Sequence, residues 1–450
     1  MSNLRIVHDN ASCRATITAS STAGALAAAN LQVDDKSSVW RATGTTARLT
    51  LTWQAAEEIG AAALICNLSP TATMRVRLSS EQQATNMLTY TELFENAAWS
   101  TPAGRSTLTP NALAAPDGTT SAEMVTGNGT GAAYYYQGVT LAAGQTYTAS
   151  VFLKAGTYSG NVLISDFTES GVAQFNLTTR ATAVSGKASN AVMKDMGGGW
   201  YRVSATFSPT VAGVHNIGFG SFNASASIYM WGAMFNSGSL SSYYPSGSTP
   251  GVRPAGYIDN WQSYDNDSGV VPACPAPAAR LRGWTPAQAA SAYAYGGGAY
   301  ARYWFPVSTQ ALGMAVDIAD PDNLQGYIEA VCLVAGAYWS PKYNASQVSL
   351  SVIDSTKLYR NDAGGQGAEA GYIYRSLPID LALMPATDRA SFVNIVRNSR
   401  AYPILVSVYS GMPDLALERD HLIYGRRARD SAVSIQYALA YSSTINIEEI

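Results

Sequence analysis

Few residues in this 450-residue chain could do chemistry, and their spacing limits what that chemistry is. His8, His215 and His421 stand far apart, so none forms a pair with metal-site spacing. His421 ends the run Glu418-Arg419-Asp420-His421, with Arg426 and Arg427 close behind. That group reads as a solvated or interfacial charge cluster, with an acid–base dyad as the alternative. Asp166 and Glu169 form the close carboxylate pair in the middle of the chain, the arrangement a glycosidase would need. Their setting is a polar strand end entering a glycine turn, with no apolar pocket to raise one acid's pKa. Hydrolysis is therefore not expected. Asp117 or Asp166, with backbone oxygens, could instead hold a structural calcium ion; no other cofactor is expected. The glycine runs 197–199 and 296–298 lack the Lys-Ser/Thr of a phosphate loop and read as turns.

Aromatic rings outside the core are the remaining resource. Tyr134, Tyr135 and Tyr136 are consecutive, and consecutive strand residues point to opposite faces, so at least one leaves the core side. Tyr158, between Gly156 and Gly160, reads as a loop aromatic. Tyr134, Tyr136 and Tyr158 are the candidate glycan-binding residues, since exposed rings stack on the apolar face of a sugar. The alternative is packing against a neighbouring subunit. Trp200, Trp231 and Phe219 are expected in the core. Cys13, Cys66, Cys274 and Cys332 are widely spaced, lack a CxxC pair and are expected as buried thiols.

These residues sit on a chain unusually poor in charge. Charged residues make up 13% and the formal net charge is −3, against about 25% charged in an ordinary domain. No basic footprint for nucleic acid is present, and no apolar stretch is long enough to span a membrane. The opening MSNLRIVHDNASC has no basic segment followed by an apolar one, so an export signal is not expected. The segment 87–250 is nearly uncharged and rich in aromatics and glycine, a surface suited to a neutral, polar partner.

Short alternating runs dominate the elements that must position these side chains. Leu49, Leu51 and Trp53 share one face, the run 61–66 reads as a fully buried strand, and 74–78 alternates again. In the middle segment, Tyr147, Ala149, Val151 and Leu153 form one apolar face and Tyr201, Val203, Ala205 and Phe207 another. Residues 245–280 are rich in proline and glycine and read as a return linker. Later strands are expected at 303–305, 312–318, 328–333, 404–408 and 433–439. One helix is expected over 387–398, capped by Thr387, with Phe392, Ile395 and Val396 inward and Arg389 and Arg397 free for a neighbour. The fold class is mainly β: a jelly roll over 1–82 plus 257–341, interrupted by a β-sandwich at 86–250, then an α+β domain at 342–450.

The runs Ala19-Ser20-Ser21, Asn30-Leu31-Gln32-Val33-Asp34-Asp35, Val39-Trp40-Arg41 and Leu49-Thr50-Leu51 resemble the opening of discoidin-like, galactose-binding-like jelly rolls. Together with 312–318, Gly326-Tyr327-Ile328-Glu329-Ala330 and Gly336-Ala337-Tyr338-Trp339-Ser340-Pro341, they resemble the outer domain of distal-tail-like proteins of long-tailed bacteriophages. The closing patterns, from Tyr372 through Thr387-Asp388-Arg389 to Ile445-Asn446-Ile447, are similar to the other domain of that family. The middle segment resembles carbohydrate-binding-like sandwiches of phage tail proteins. The residues that carry this are Asn86-Met87-Leu88, Trp99, Ala115-Pro116-Asp117-Gly118, Gly199-Trp200-Tyr201-Arg202-Val203, Trp231-Gly232-Ala233 and Ser241-Ser242-Tyr243-Tyr244-Pro245. Where such modules place a glutamine or glutamate, Met234 and Phe235 stand here.

The resemblance implies a non-enzymatic virion protein of the tail tip or baseplate. Identical subunits would form a trimeric or hexameric ring, in contact with other tail and baseplate proteins. The inserted module would meet a cell-surface glycan or anchor a fibre, and release by lysis would account for a surface protein without an export signal. The competing expectations are a free extracellular glycan-binding adhesin and a polysaccharide-degrading enzyme.

Overall fold

A computed structural model describes residues 4–34, 37–69, 71–262, 264, 266–274, 300–323, 325–360, 362, 364–369, 371, 373–399, 402–412, 414–428, 431–437 and 440–450. The stretch 293–299, Pro275, Pro277, Asp35, Tyr372 and the expected strand end at 438–439 lie outside the described residues. The chain divides into two compact units: Met1–Ser80 with Tyr264–Ile450, and Glu81–Ser263. No described helix is long and apolar enough to cross a membrane.

The larger unit is built on two eight-stranded sheets. In the first, the runs 47–53 and 61–66 belong to one strand, Thr46–Cys66. Likewise 303–305 and 312–318 both lie within Tyr300–Ala319. The polar residues between the runs keep the ladder going, with Glu58 opposite Gln310 and Glu57 opposite Ala311. Leu49, Leu51 and Trp53 do share a buried face. The run 61–66 is buried on both sides for a reason the alternation makes plain. Ala62, Leu64 and Cys66 enter the jelly-roll core. Ala61, Ala63 and Ile65 enter a second cluster with Val7, Tyr300, Val334, Leu405, Leu422 and Tyr424, the seam with the other sheet. Polar bonds lock that seam: Arg302 to Glu418 at 2.7 Å and the Tyr300 hydroxyl to Glu449 at 2.7 Å, with Glu449 also held at 2.6 Å by Arg375 of its own sheet.

The second sheet draws on both ends of the chain. Arg5–Val7 pairs antiparallel with Ile404–Ser407, so the domain expected at 342–450 also holds the chain's first strand. The helix runs Ala386–Asn398 from Pro385, with no side-chain cap. Thr387 therefore lies inside the first turn rather than at the cap. Phe392 and Ile395 are buried against Leu377, Ile379, Ile445 and Ile447. The half-buried Arg389 guanidinium lies 5.1 Å over the Tyr441 ring; Arg397 is exposed. A second helix, Leu415–Asp420, was not legible in the sequence. Asp414 caps it by accepting the N–H groups of Ala416 and Leu417, each at 3.1 Å. It turns Glu418 inward to Arg302 at 2.7 Å, while Arg419 pairs with Asp420 at 2.7 Å. All four cysteines are free; Cys66, Cys274 and Cys332 are buried, whereas Cys13 is exposed.

The smaller unit is a sandwich of a six-stranded and a five-stranded sheet. Phe94, Trp99, Tyr135, Phe175, Phe207, Phe219 and Phe235 fill the space between them. Val151 and Leu153 face that core. Phe152, between them, points the other way into a cluster with Trp200, Trp231, Met234 and Tyr243, against which Trp261 packs. Tyr243 and Trp261 come from the segment that follows the last long strand, so that segment covers the outer face of the six-stranded sheet. For this reason the sandwich reaches beyond 86–250: Glu81 pairs with Arg253 at 3.0 Å, and Gln262 accepts the Tyr243 N–H at 2.8 Å.

Removing the buried Phe392 ring should destabilise the larger unit by about 2–5 kcal/mol. Arg397→Ala should change stability by no more than about 0.5 kcal/mol. Chemical denaturation of the two variants checks both values.

Candidate functional site

The five-stranded sheet keeps its outer face open. Strand Ala133–Leu141 alternates across the sheet, with Ala133, Tyr135, Val139 and Leu141 in the core and Tyr134 and Tyr136 half-buried on the other side. Residues directly opposite in neighbouring strands share a face. One row therefore runs Tyr136, Gly218, Ser165, Val172 and Ser185 across all five strands. Leu163 and Gln174 belong to the adjacent row, and Gly138 lies opposite Asn216. None of these side chains carries a charge at neutral pH.

Phe167 completes an aromatic cluster on this face. Its ring centroid lies 4.5 Å from Tyr134 and 6.2 Å from Tyr136, and the two tyrosines are 5.9 Å apart. Phe167 is still 39% exposed. Gly218 makes the seat, since a Cβ there would stand 2.2 Å from Phe167 Cε2. Tyr158 does not join the cluster. It stacks on Phe222 at 4.9 Å, packs against the core, and its hydroxyl donates to the Asn161 carbonyl at 3.0 Å.

The acids serve as fasteners. Asp166 is buried; its Oδ1 accepts the Thr168 N–H at 2.9 Å and its Oδ2 meets His215 Nδ1 at 2.8 Å. His215 Nε2 faces the Val211 carbonyl at 2.9 Å. Glu169 accepts the N–H groups of Thr210 and Val211, at 2.8 and 2.7 Å, which hold its carboxyl below the usual range. The pair considered for hydrolysis thus ties the turn after strand Asn161–Asp166 to the loop before Gly213–Phe222. Asp117 lies in a turn of the other sheet, taking the Thr119 N–H at 2.9 Å and its hydroxyl at 2.7 Å. The two calcium candidates are not brought together. Among the described residues, no three of His, Cys, Asp and Glu are grouped to hold a metal.

Burial works to lower the His215 pKa, but the bonds to Asp166 and the Val211 carbonyl outweigh it and hold the ring above its ordinary value of 6.5. Two described carboxyls of the smaller unit are raised. Glu123 is buried beside Glu95 and pushed up to about 9. Glu92 is raised by burial, against the hydroxyl that Tyr243 donates to it at 3.0 Å.

Phe167 and Gly218 are the members of the site that sequence reading missed. Phe167 lay in a stretch read only as a turn, and Gly218 becomes informative once strand register sets it beside Tyr136.

No protein-family model matches the chain, and no curated protein matches it. Among solved structures, it is similar to the CBM22-1–GH10 modules of a Clostridium thermocellum endo-1,4-β-D-xylanase complexed with xylohexaose. That likeness has 16% identity and a TM-score of 0.23, over 38% of this chain and 30% of the other. It is also similar to the enzymatically active domain of bacteriophage CBA120 tailspike protein 4, at 13% identity and a TM-score of 0.25, over 34% of this chain and 21% of the other. A third likeness is to the CBM22-1 xylan-binding domain of a Paenibacillus barcinonensis xylanase, at 11% identity and a TM-score of 0.22, over 37% of this chain and 94% of the other. This chain thus spans less than a third of the first two structures. Identities and scores this low carry no ligand across to it.

The raised His215 pKa has a definite sign for stability. The ring's contribution is full below about pH 6.5, its unfolded value, and is lost as pH rises through the folded value. Unfolding free energy should therefore fall across that range in the native chain. His215→Ala should remove the His215 share of that fall, leaving the share of the raised Glu123 carboxyl, and cost about 3–5 kcal/mol at low pH, because Asp166 is left buried without its partner. Denaturant titrations of both proteins across this pH range measure it.

Proposed function

We propose that this chain is a non-enzymatic attachment protein whose inserted sandwich binds a neutral glycan on the open face of its five-stranded sheet. The observation that carries this reading is the cluster Tyr134, Tyr136 and Phe167, set on a face whose described side chains carry no charge at neutral pH, while Tyr243 and Trp261 pack on the opposite outer face. The C–H face of a sugar stacks on such rings, and Gln174, Asn216 and Ser185 offer amides and a hydroxyl to its hydroxyl groups. A neutral face does not steer a charged ligand from a distance, and one small cluster gives weak binding. Useful strength then comes from many copies, through effective concentration.

A free extracellular adhesin and a virion protein would both use this face. The finer reading, a tail-tip or baseplate protein in a ring of identical subunits, is supported by the ordered patterns of the outer module. In that assembly the exposed Arg397 and the half-buried Arg389, which lies over Tyr441, are the candidates to meet a neighbour. A reconstruction of intact particles bearing this chain tests the placement, and density away from the tail tip would refute it.

A glycan array tests the binding face. The double variant Y134A/Y136A should lose at least about tenfold in affinity for neutral sugars, equivalent to about 1.4 kcal/mol, with the fold intact by circular dichroism. Undiminished binding by the double variant would remove the face from consideration.

A further inference from the structure

We propose that His215 is a positioning residue for the aromatic platform: bridging Asp166 and the Val211 carbonyl as an imidazolium, it fixes the turn that seats the Phe167 ring beside Tyr134. The inference rests on the glycan-binding reading for its consequence, and on geometry alone for the seating itself.

Phe167 lies between two fastened residues. Asp166 accepts the Thr168 N–H across it, at 2.9 Å. The Phe167 N–H donates to the Asn216 carbonyl at 2.9 Å, and the Thr168 hydroxyl oxygen accepts the Asn216 N–H at 3.0 Å. Asp166 is in turn held from inside by His215 Nδ1 at 2.8 Å. The ring's other nitrogen meets the Val211 carbonyl at 2.9 Å. A carboxylate oxygen and a carbonyl oxygen are both acceptors, so only the doubly protonated ring satisfies both. A neutral ring carries one N–H and must abandon either Asp166 or the 208–212 loop.

Few groups can offset that loss. The ionisable groups acting on the ring are Asp166 and Glu169, both from the same turn. The strand beside it places Val139 opposite His215, and Glu169 is itself tied to Thr210 and Val211. Deprotonation therefore loosens the turn, and Phe167 loses its seat over Gly218. The platform then keeps two rings of three.

The ligand expected is a neutral saccharide, and its affinity should fall as pH rises through the His215 titration.

The test uses the full chain with 4-fluorophenylalanine at position 167, followed by fluorine NMR through the histidine range. The native resonance should move with one inflection above the ordinary histidine value of 6.5. In Asp166→Asn the amide can donate to a neutral ring, so the resonance should hold its packed position at every pH. A native resonance that does not titrate, or an unchanged titration in Asp166→Asn, would overturn the proposal. Gly218→Ala provides a second arm, displacing Phe167 from outside while leaving the fastener in place. Binding of cello-, xylo- and mannohexaose should weaken about tenfold in that variant, the size of one lost aromatic contact. If the native chain binds none of these sugars while the resonance titrates, the glycan reading fails and the positioning stands. If it binds them with an affinity blind to pH and to Gly218→Ala, the positioning fails and the glycan reading stands.

Discussion

A β-strand sends alternate side chains to opposite faces, and this molecule depends on using both faces of its central strands. In the larger unit, the run 61–66 supplies Ala62, Leu64 and Cys66 to one core and Ala61, Ala63 and Ile65 to another. In the smaller unit, Val151 and Leu153 point into the sandwich while Phe152 joins the cluster beneath Tyr243 and Trp261. A sheet covered twice is fixed in register, because a slip of one residue would exchange every side chain between the two environments. The five-stranded sheet escapes double coverage. Its outer face is free to present rings because its partner sheet carries the structural burden on both sides.

Charge is distributed in keeping with that division. Several ionisable groups of the smaller unit are buried or fastened to fixed partners. Arg202 is buried and donates to Ser150 Oγ at 3.0 Å and the Ser241 carbonyl at 2.8 Å. Burial lowers its pKa to about 10, against the pull of Glu81, Tyr243 and Asp259. Asp166, Glu169 and His215 fasten a turn to a loop. What remains for the open face is aromatic, aliphatic, amide and hydroxyl, an uncharged chemistry that matches a neutral sugar.

Local pattern was enough to read some of this. Alternation placed Leu49, Leu51 and Trp53 on one face and sent Tyr134 and Tyr136 away from Tyr135, and the helical period put Phe392 and Ile395 under the helix. Non-local register was not legible. Nothing in the sequence around Arg5 announces that it pairs with Ser407, and the polar Gln54, Glu57 and Glu58 hide the continuity of Thr46–Cys66. Tyr158 looked exposed because glycines flank it, yet Gly160 leaves room for its ring to fold down and stack on Phe222. Asp166 looked like half of a carboxylate pair or a calcium ligand, since its real partner, His215, lies 49 residues away.

The same non-locality explains why the platform is a poor target for reading by motif. Its three rings come from one strand and from a turn outside that strand, and its seat is a glycine on a third segment. Any one of these residues is ordinary by itself. Their combination depends on the bond between His215 and Asp166, which lies on the core side of the sheet and is invisible from the face it serves. Selection on ligand binding would therefore act on a buried histidine as strongly as on an exposed ring. A variant at His215 that preserves folding but alters binding would be the signature of that coupling.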